Sequence, residues 1–398
     1  MGGIRCAEGG ESMKFMGARL RQARLARGLT AKALADAVEV SPSIVSGYEA
    51  GKKTPSPETL DRLASILDVP VRLLHKRMPE ETHAVHDVFY RSVSSTTRTL
   101  REKLNQRAAW MCEVFDFVEQ HFNFSDINLP ELDLPKDFRN ISEEMIEDAA
   151  AATRECWEVE DGPLPDLMDL METQGVTVSK FSFGSDKMDG FSFWHKDSFP
   201  MVVLATDKES RSRSRFDLAH ELGHLVLNHS RGENPDPEEV RVQEDQANRF
   251  ASAFLLPKEA VSVDFDEALA SAYRKSVLNS LWPLKLKWKV SIAALLYRAR
   301  DIDKINSRQY KSAYVMLSQR GWRKSEPLEE ELPEEQPDVL RLCIEQLVGD
   351  GDYTPSEIHE NIALPVGDIV DICRLPVNFF EERRDIKRPI RTRKRDLQ

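Results

Sequence analysis

The sequence predicts an α+β chain: an all-α domain of short helices, then a mostly helical domain with a small β-sheet, then a helical C-terminal region. Three observations predict this. Short helical periods, punctuated by caps and glycines, fill residues 17–78. Three β-rich runs bounded by Gly, Pro and Asp follow, Gly175-Val-Thr-Val-Ser, Gly190-Phe-Ser-Phe-Trp and Pro200-Met-Val-Val-Leu-Ala. Helical spacing then resumes and dominates residues 275–375.

The length of 398 residues exceeds what one hydrophobic core supports, so two or three domains are expected. Apolar residues at 41% and charged residues at 31% describe an ordinary globular mixture rather than a disordered chain. A net charge of −12 excludes a binder of nucleic acid over its whole surface. Residues 17–78 nevertheless hold 11 Lys and Arg against 6 Asp and Glu, which fits DNA binding confined to one end. The five cysteines form no CxxC pair and read as reduced thiols. No apolar run reaches the roughly 18 residues of a membrane span, and the first 13 residues lack the apolar core of a secretory signal. A cytoplasmic protein with no membrane partner is expected.

Five segments follow from these patterns: 17–78, a helical connecting region at 84–160, a mixed segment at 161–275, a helical region at 276–380, and a basic tail at 381–398. The acidic, Pro-rich stretch from Glu326 to Pro337 reads as a linker or surface loop. No internal repeat is visible.

In the first segment, Leu20, Ala23 and Leu25 mark a helix stopped at Gly28, and Thr30 caps a second that begins at Ala31. A break at Glu39-Val-Ser41 leads into a third helix, with Pro42 in its first turn and Ile44, Val45 and Tyr48 on its apolar face. Gly51-Lys-Lys-Thr-Pro ends that helix, and Ser56 caps the next. Two short helices joined by a brief turn place the second in a DNA major groove. The pattern Leu29-Thr30, Leu34-Ala35, Val40-Ser41, Ile44, Ser46, Tyr48-Glu49, Gly51 and Pro55 resembles the Cro/repressor (XRE) helix-turn-helix family. The resemblance implies that Ser41, Ser43, Ser46 and Gly47 face base edges or the groove of double-stranded operator DNA. It also places Lys52 and Lys53 near phosphate. The family often has Gln where this chain has Ala31, which puts one phosphate contact in doubt. A homodimer would let the chain span two half-sites.

The chemistry concentrates at His220-Glu221-Leu222-Gly223-His224. Histidines four apart on a helix project from one face and can share a Zn²⁺, leaving places for a third ligand and a water whose proton Glu221 would take. Leu218, Leu222 and Leu225 give the helix a separate apolar face, and Gly223 would let another backbone approach. The metzincin pattern is excluded, because Leu227 and Ser230 stand where it needs Gly and His. Glu244, twenty positions past His224 on a returning helix, is the preferred third ligand, with His229 competing. Asn248, one turn beyond Glu244, could orient a ligand. Asp217 and Asp245 read as solvated helix surface, and His195 as structural or substrate-facing.

Arg215-Phe216, Ala219 through His224, Glu244, Ala247-Asn248, Phe250-Ala251 and Leu255-Leu256-Pro257 closely resemble the ImmA/IrrE metallopeptidases. That resemblance implies zinc-dependent limited proteolysis of a helix-turn-helix repressor, relieving transcription during stress or mobile-element induction. The alternative is a ligand-responsive transcription factor whose peptidase-like domain senses or docks without turnover.

Overall fold

The computed structural model describes residues 14–79, 97–124, 127–208, 210–229, 236–270, 276–323 and 325–381. The expected basic tail beyond Glu381 lies outside them, as do Cys6 and the first part of the connecting region. Among the described residues are sixteen α-helices and one three-stranded sheet.

Four helices open the chain: α1 (Gly17–Ala26), α2 (Ala31–Val38), α3 (Pro42–Glu49) and α4 (Pro57–Leu67). Their boundaries are set by local chemistry. The Thr30 side chain accepts from the Ala33 N–H and that of Ser56 from the Thr59 N–H, while Pro42 and Pro57 begin helices whose first N–H groups need no partner. Glu39 adopts a left-handed φ of 59° and turns the chain from α2 into α3. The same local turn recurs between later helices at Lys289 and Ala363, with φ of 54° and 58°.

A long helix, α5 (Arg98–Glu119), occupies the connecting region and is buried on nearly every side from Arg107 to Val118. A helix buried all round sits between layers rather than on a surface. On one side it carries the N-terminal helices. Arg19 of α1, wholly buried, makes a bidentate ion pair with Glu113, which also meets Lys76 at 3.1 Å. On its other side lies the sheet.

Helices α6 (Glu143–Cys156) and α7 (Leu167–Thr173) lead into strands β1 (Thr177–Phe181), β2 (Gly190–His195) and β3 (Phe199–Ala205). The strand order is β1-β3-β2, with β1 parallel and β2 antiparallel to the central β3. The turn between β2 and β3 takes left-handed backbone at Lys196 and Asp197. Side chains alternate across the pleat. Phe181, Phe191, Phe193, Met201 and Val203 join the core around α5, whereas Val178, Val202 and Leu204 join a second core.

That second core holds α6, α7 and the helices that follow: α8 (Arg211–Val226), α9 (Pro237–Leu255), α10 (Lys258–Ala270), α11 (Val277–Trp288), α12 (Ile292–Asp301) and α13 (Ser307–Gln319). The last three helices, α14 (Val339–Gly349), α15 (Pro355–Ile362) and α16 (Val366–Cys373), return to the first core. There Asp368 of α16 pairs with Arg27 of the N-terminal helices at 2.8 Å and with Arg107 of α5 at 3.3 Å.

The acidic segment Glu326–Pro337 is not the solvated linker its composition suggests. Glu326 and Glu329 both pair with the buried Lys285, and Glu329 also accepts from Ser212 at the start of α8. Glu326 further accepts from the Ile292 and Ala293 N–H groups at the start of α12, where a helix favours negative charge. Glu335 pairs with the buried Arg215. The carboxylates thus strap this segment across buried cations.

Candidate metal centre and DNA-facing helix

Helix α8 begins where the Ser210 side chain accepts from the Arg213 N–H, and its apolar side, Leu218, Leu222 and Leu225, sinks into the second core. Its opposite side carries His220 and His224, 0% and 1% exposed. Helix α9 crosses it closely. At the crossing, a Cβ on Gly223 would come within 3.0 Å of the Phe250 ring, so that glycine admits a side chain rather than the backbone expected from sequence.

The crossing brings Glu244 of α9 to the two histidines. The His220 and His224 Nε2 atoms lie 3.1 Å apart, with Glu244 Oε2 at 3.3 Å from the first and Oε1 at 3.6 Å from the second. Among the described residues these three form a group whose donor atoms all lie within 4.8 Å of one another. Glu244 is the most exposed of them, its side chain 12% accessible, so the cluster opens on the α9 side.

The outer ring nitrogens determine what the inner ones offer. His220 Nδ1 lies 3.1 Å from Asn248 Oδ1, which can only accept, so that nitrogen carries the proton. His224 Nδ1 lies 2.9 Å from His229 Nδ1, and His229 Nε2 lies 3.0 Å from Gln246 Oε1. The Gln246 amide nitrogen donates to the Phe138 carbonyl, which turns its oxygen toward His229. His229 therefore donates through Nε2 and accepts through Nδ1, and His224 donates to it. The inner Nε2 atoms of both histidines thus point toward each other and toward the Glu244 carboxylate. Two imidazoles and one carboxylate brought together in this way match the donor set of a zinc site. His229 thus stands behind His224 instead of competing with Glu244.

Glu221, 1% exposed, accepts a 2.8 Å hydrogen bond from the hydroxyl of Ser192 on β2. A Cβ on Gly190 would stand 3.3 Å from Glu221 Oε1 and 2.9 Å from Leu204, so the strand passes this close only because position 190 has no side chain. Neither residue was singled out from sequence. The clue was Ser192 itself, a hydroxyl within an apolar run on the face that β2 turns toward α8. His195, on the opposite face, bonds Asp116 of α5 at 2.7 Å and is structural. Burial acts to raise the Asp116 pKa, but hydrogen bonds from His195 and Lys196 outweigh it and hold the carboxyl below its usual range. Asp245 is exposed as expected, whereas Asp217 is buried, one turn before His220.

Residues 171–300 match a peptidase family, the IrrE N-terminal-like domain, and residues 20–74 match the helix-turn-helix family. The chain joins an XRE-type helix-turn-helix domain to an ImmA/IrrE-type peptidase domain. No curated protein matches it.

In the helix-turn-helix domain, Ser41, Ser43, Ser46, Lys52 and Lys53 are exposed and Gly47 is half-buried. Ser41 spends its hydroxyl on Ser43 at 2.8 Å rather than on a cap, so it leaves the N–H groups at the start of α3 without a side-chain partner from Ser41. The Lys52 and Lys53 N–H groups both donate to the Gly47 carbonyl, fixing these cations at the far end of α3. No helix among the described residues is long and apolar enough to cross a membrane.

Proposed function

We propose that the chain is a cytoplasmic transcriptional regulator whose peptidase domain is a zinc endopeptidase. Its substrate is another protein, a helix-turn-helix repressor, whose cleavage relieves transcription in a stress or mobile-element response. The observation that carries this reading is the meeting of His220, His224 and Glu244 with Glu221 held beside the edge strand β2. When bound by the three donors, zinc supplies Lewis acidity toward a peptide carbonyl and toward water. Glu221 acts as general base and then as general acid. Its carboxylate takes a proton as water oxygen bonds to the carbonyl carbon, and returns it to the amide nitrogen as the C–N bond breaks. Ser192 orients that carboxylate, while Asn248 and His229 orient the two imidazoles. Strand β2 offers an edge along which an extended substrate can pair.

At the other end, Ser41, Ser43, Ser46 and Gly47 meet the DNA groove and Lys52 and Lys53 its phosphates, with a homodimer spanning two half-sites. The near-complete burial of Glu221 favours a second reading, in which the closed site senses a ligand or docks a protein without turnover.

Zinc analysis tests the site. Purified protein should carry about one Zn²⁺ per chain, and His220→Ala, His224→Ala and Glu244→Ala should each reduce occupancy sharply. Full zinc affinity in Glu244→Ala alongside its loss in His229→Ala would overturn the ligand assignment.

A further inference from the structure

Beside the metal-binding cluster lies a cavity of about 600 Å³. Its walls come from the first half of α8, from α9, α12 and α13, and from the segment that follows α13. Five aromatic rings converge on it: Phe216 of α8, Tyr297 of α12, Tyr310 and Tyr314 of α13, and Trp322. Each is half-buried. Tyr310 and Tyr314 lie 5.5 Å apart between ring centroids, and Trp322 is braced edge-on by Trp282 at 5.1 Å. The Arg300 guanidinium lies 4.5 Å from the Tyr310 ring and 5.0 Å from that of Tyr297. Rings from four elements, fixed in place yet left partly wet, retain apolar surface whose burial is favourable. The rings share the wall with polar and charged groups, among them Lys208, Arg213, Asp245 and Glu326, and a concave site of this size that joins rings to a few polar groups has the form of a binding pocket.

Its position decides what it binds. Asn248 is shared, lining the cavity while its Oδ1 accepts from His220 Nδ1. Asp217, one turn before His220 on α8, lines it as well. The wall of the cavity is therefore continuous with the residues that hold the first imidazole. The cavity meets the cluster through Asn248 and Asp217, at the His220 end of the site.

We propose that this cavity is the specificity pocket of the peptidase site and takes an aromatic side chain of an extended peptide. The proposal rests on the peptidase reading above. The pocket selects substrate by burying a ring among Tyr297, Tyr310, Tyr314 and Trp322, and so sets which bond lies over Glu221.

The zinc-loaded Glu221→Gln protein provides a binding assay that needs no turnover. Two capped tetrapeptides serve as probes, Ala-Ala-Phe-Ala and Ala-Ala-Ala-Ala, followed by NMR titration. The Phe peptide is expected to bind at least about tenfold more tightly, a difference that one well-buried ring readily supplies. Tyr310→Ala and Tyr314→Ala should each erase most of this preference while zinc content stays unchanged. Equal binding of the two peptides, or a preference that survives both substitutions, overturns the proposal. So does free phenylalanine binding as tightly as the Phe peptide, which would mark an effector site instead. A Phe preference that depends on both tyrosines, in a protein whose wild type cuts no peptide, sinks the peptidase reading and leaves the pocket standing.

Discussion

At the scale of single residues, the proposed metal centre depends on where two protons sit. Asn248 and His229 each accept from the outer nitrogen of a ligand imidazole, and this leaves both inner nitrogens basic. Partners of this kind affect metal affinity by about 10–100-fold without touching the metal. His229→Ala should therefore weaken zinc binding by that factor, because it removes the acceptor that fixes the His224 tautomer. His229→Gln, which keeps an acceptor, should recover part of the loss. Competition against a chromophoric chelator measures both, and unchanged affinity in His229→Ala would show that the His224 ring is held by packing alone. The Ser192 hydroxyl, on a strand with a glycine two residues earlier, helps to position Glu221 in a similar way.

At the scale of elements, sequence and structure agree best where a local rule acts. The caps at Thr30 and Ser56, the Pro-initiated α3 and α4, and the three strands all lay close to where composition and period put them. The pairing of His220 with His224 was legible because helix geometry fixes which residues share a face, and Glu244 because its distance along the chain allows a loop and a returning helix. Long-range pairing was not legible. Nothing local distinguishes an acidic segment in water from one strapped over Lys285 and Arg215, and Asp217 looked like any helix-surface acid. Period likewise assigned β2 two faces without saying that Ser192 would meet Glu221. Helix α3 shows how the DNA reading is to be tested. Because Lys52 and Lys53 are anchored at its end and exposed, Lys52→Ala and Lys53→Ala should weaken DNA binding about equally for all sequences. Each should also lower the slope of log affinity against log salt by about one. A change in sequence preference with an unchanged slope would remove them from the phosphate backbone.

At the scale of the molecule, α5 joins the two functional ends. It receives Arg19 of the helix-turn-helix domain on Glu113, and it packs on the face of the sheet opposite the one that presents Ser192 to Glu221. Helices α14–α16 close the same core, and Asp368 binds both Arg27 and Arg107. The DNA-binding helices are therefore docked on the body of the protein by buried ion pairs, whose disruption typically costs 3–5 kcal/mol. A helix as buried as α5 offers no extended strand to a peptidase until it unfolds locally, which disfavours cleavage within α5 itself. The direct measurement is to incubate zinc-loaded full-length protein, and its Glu221→Gln variant, with a proteome-derived peptide library. Mass spectrometry then reads new peptide termini together with the intact mass of the protein. New termini are expected with the wild type, none with Glu221→Gln, and an unchanged intact mass in both. Termini that persist in Glu221→Gln, or wild-type protein that releases its own N-terminal fragment while the library stays intact, would contradict it.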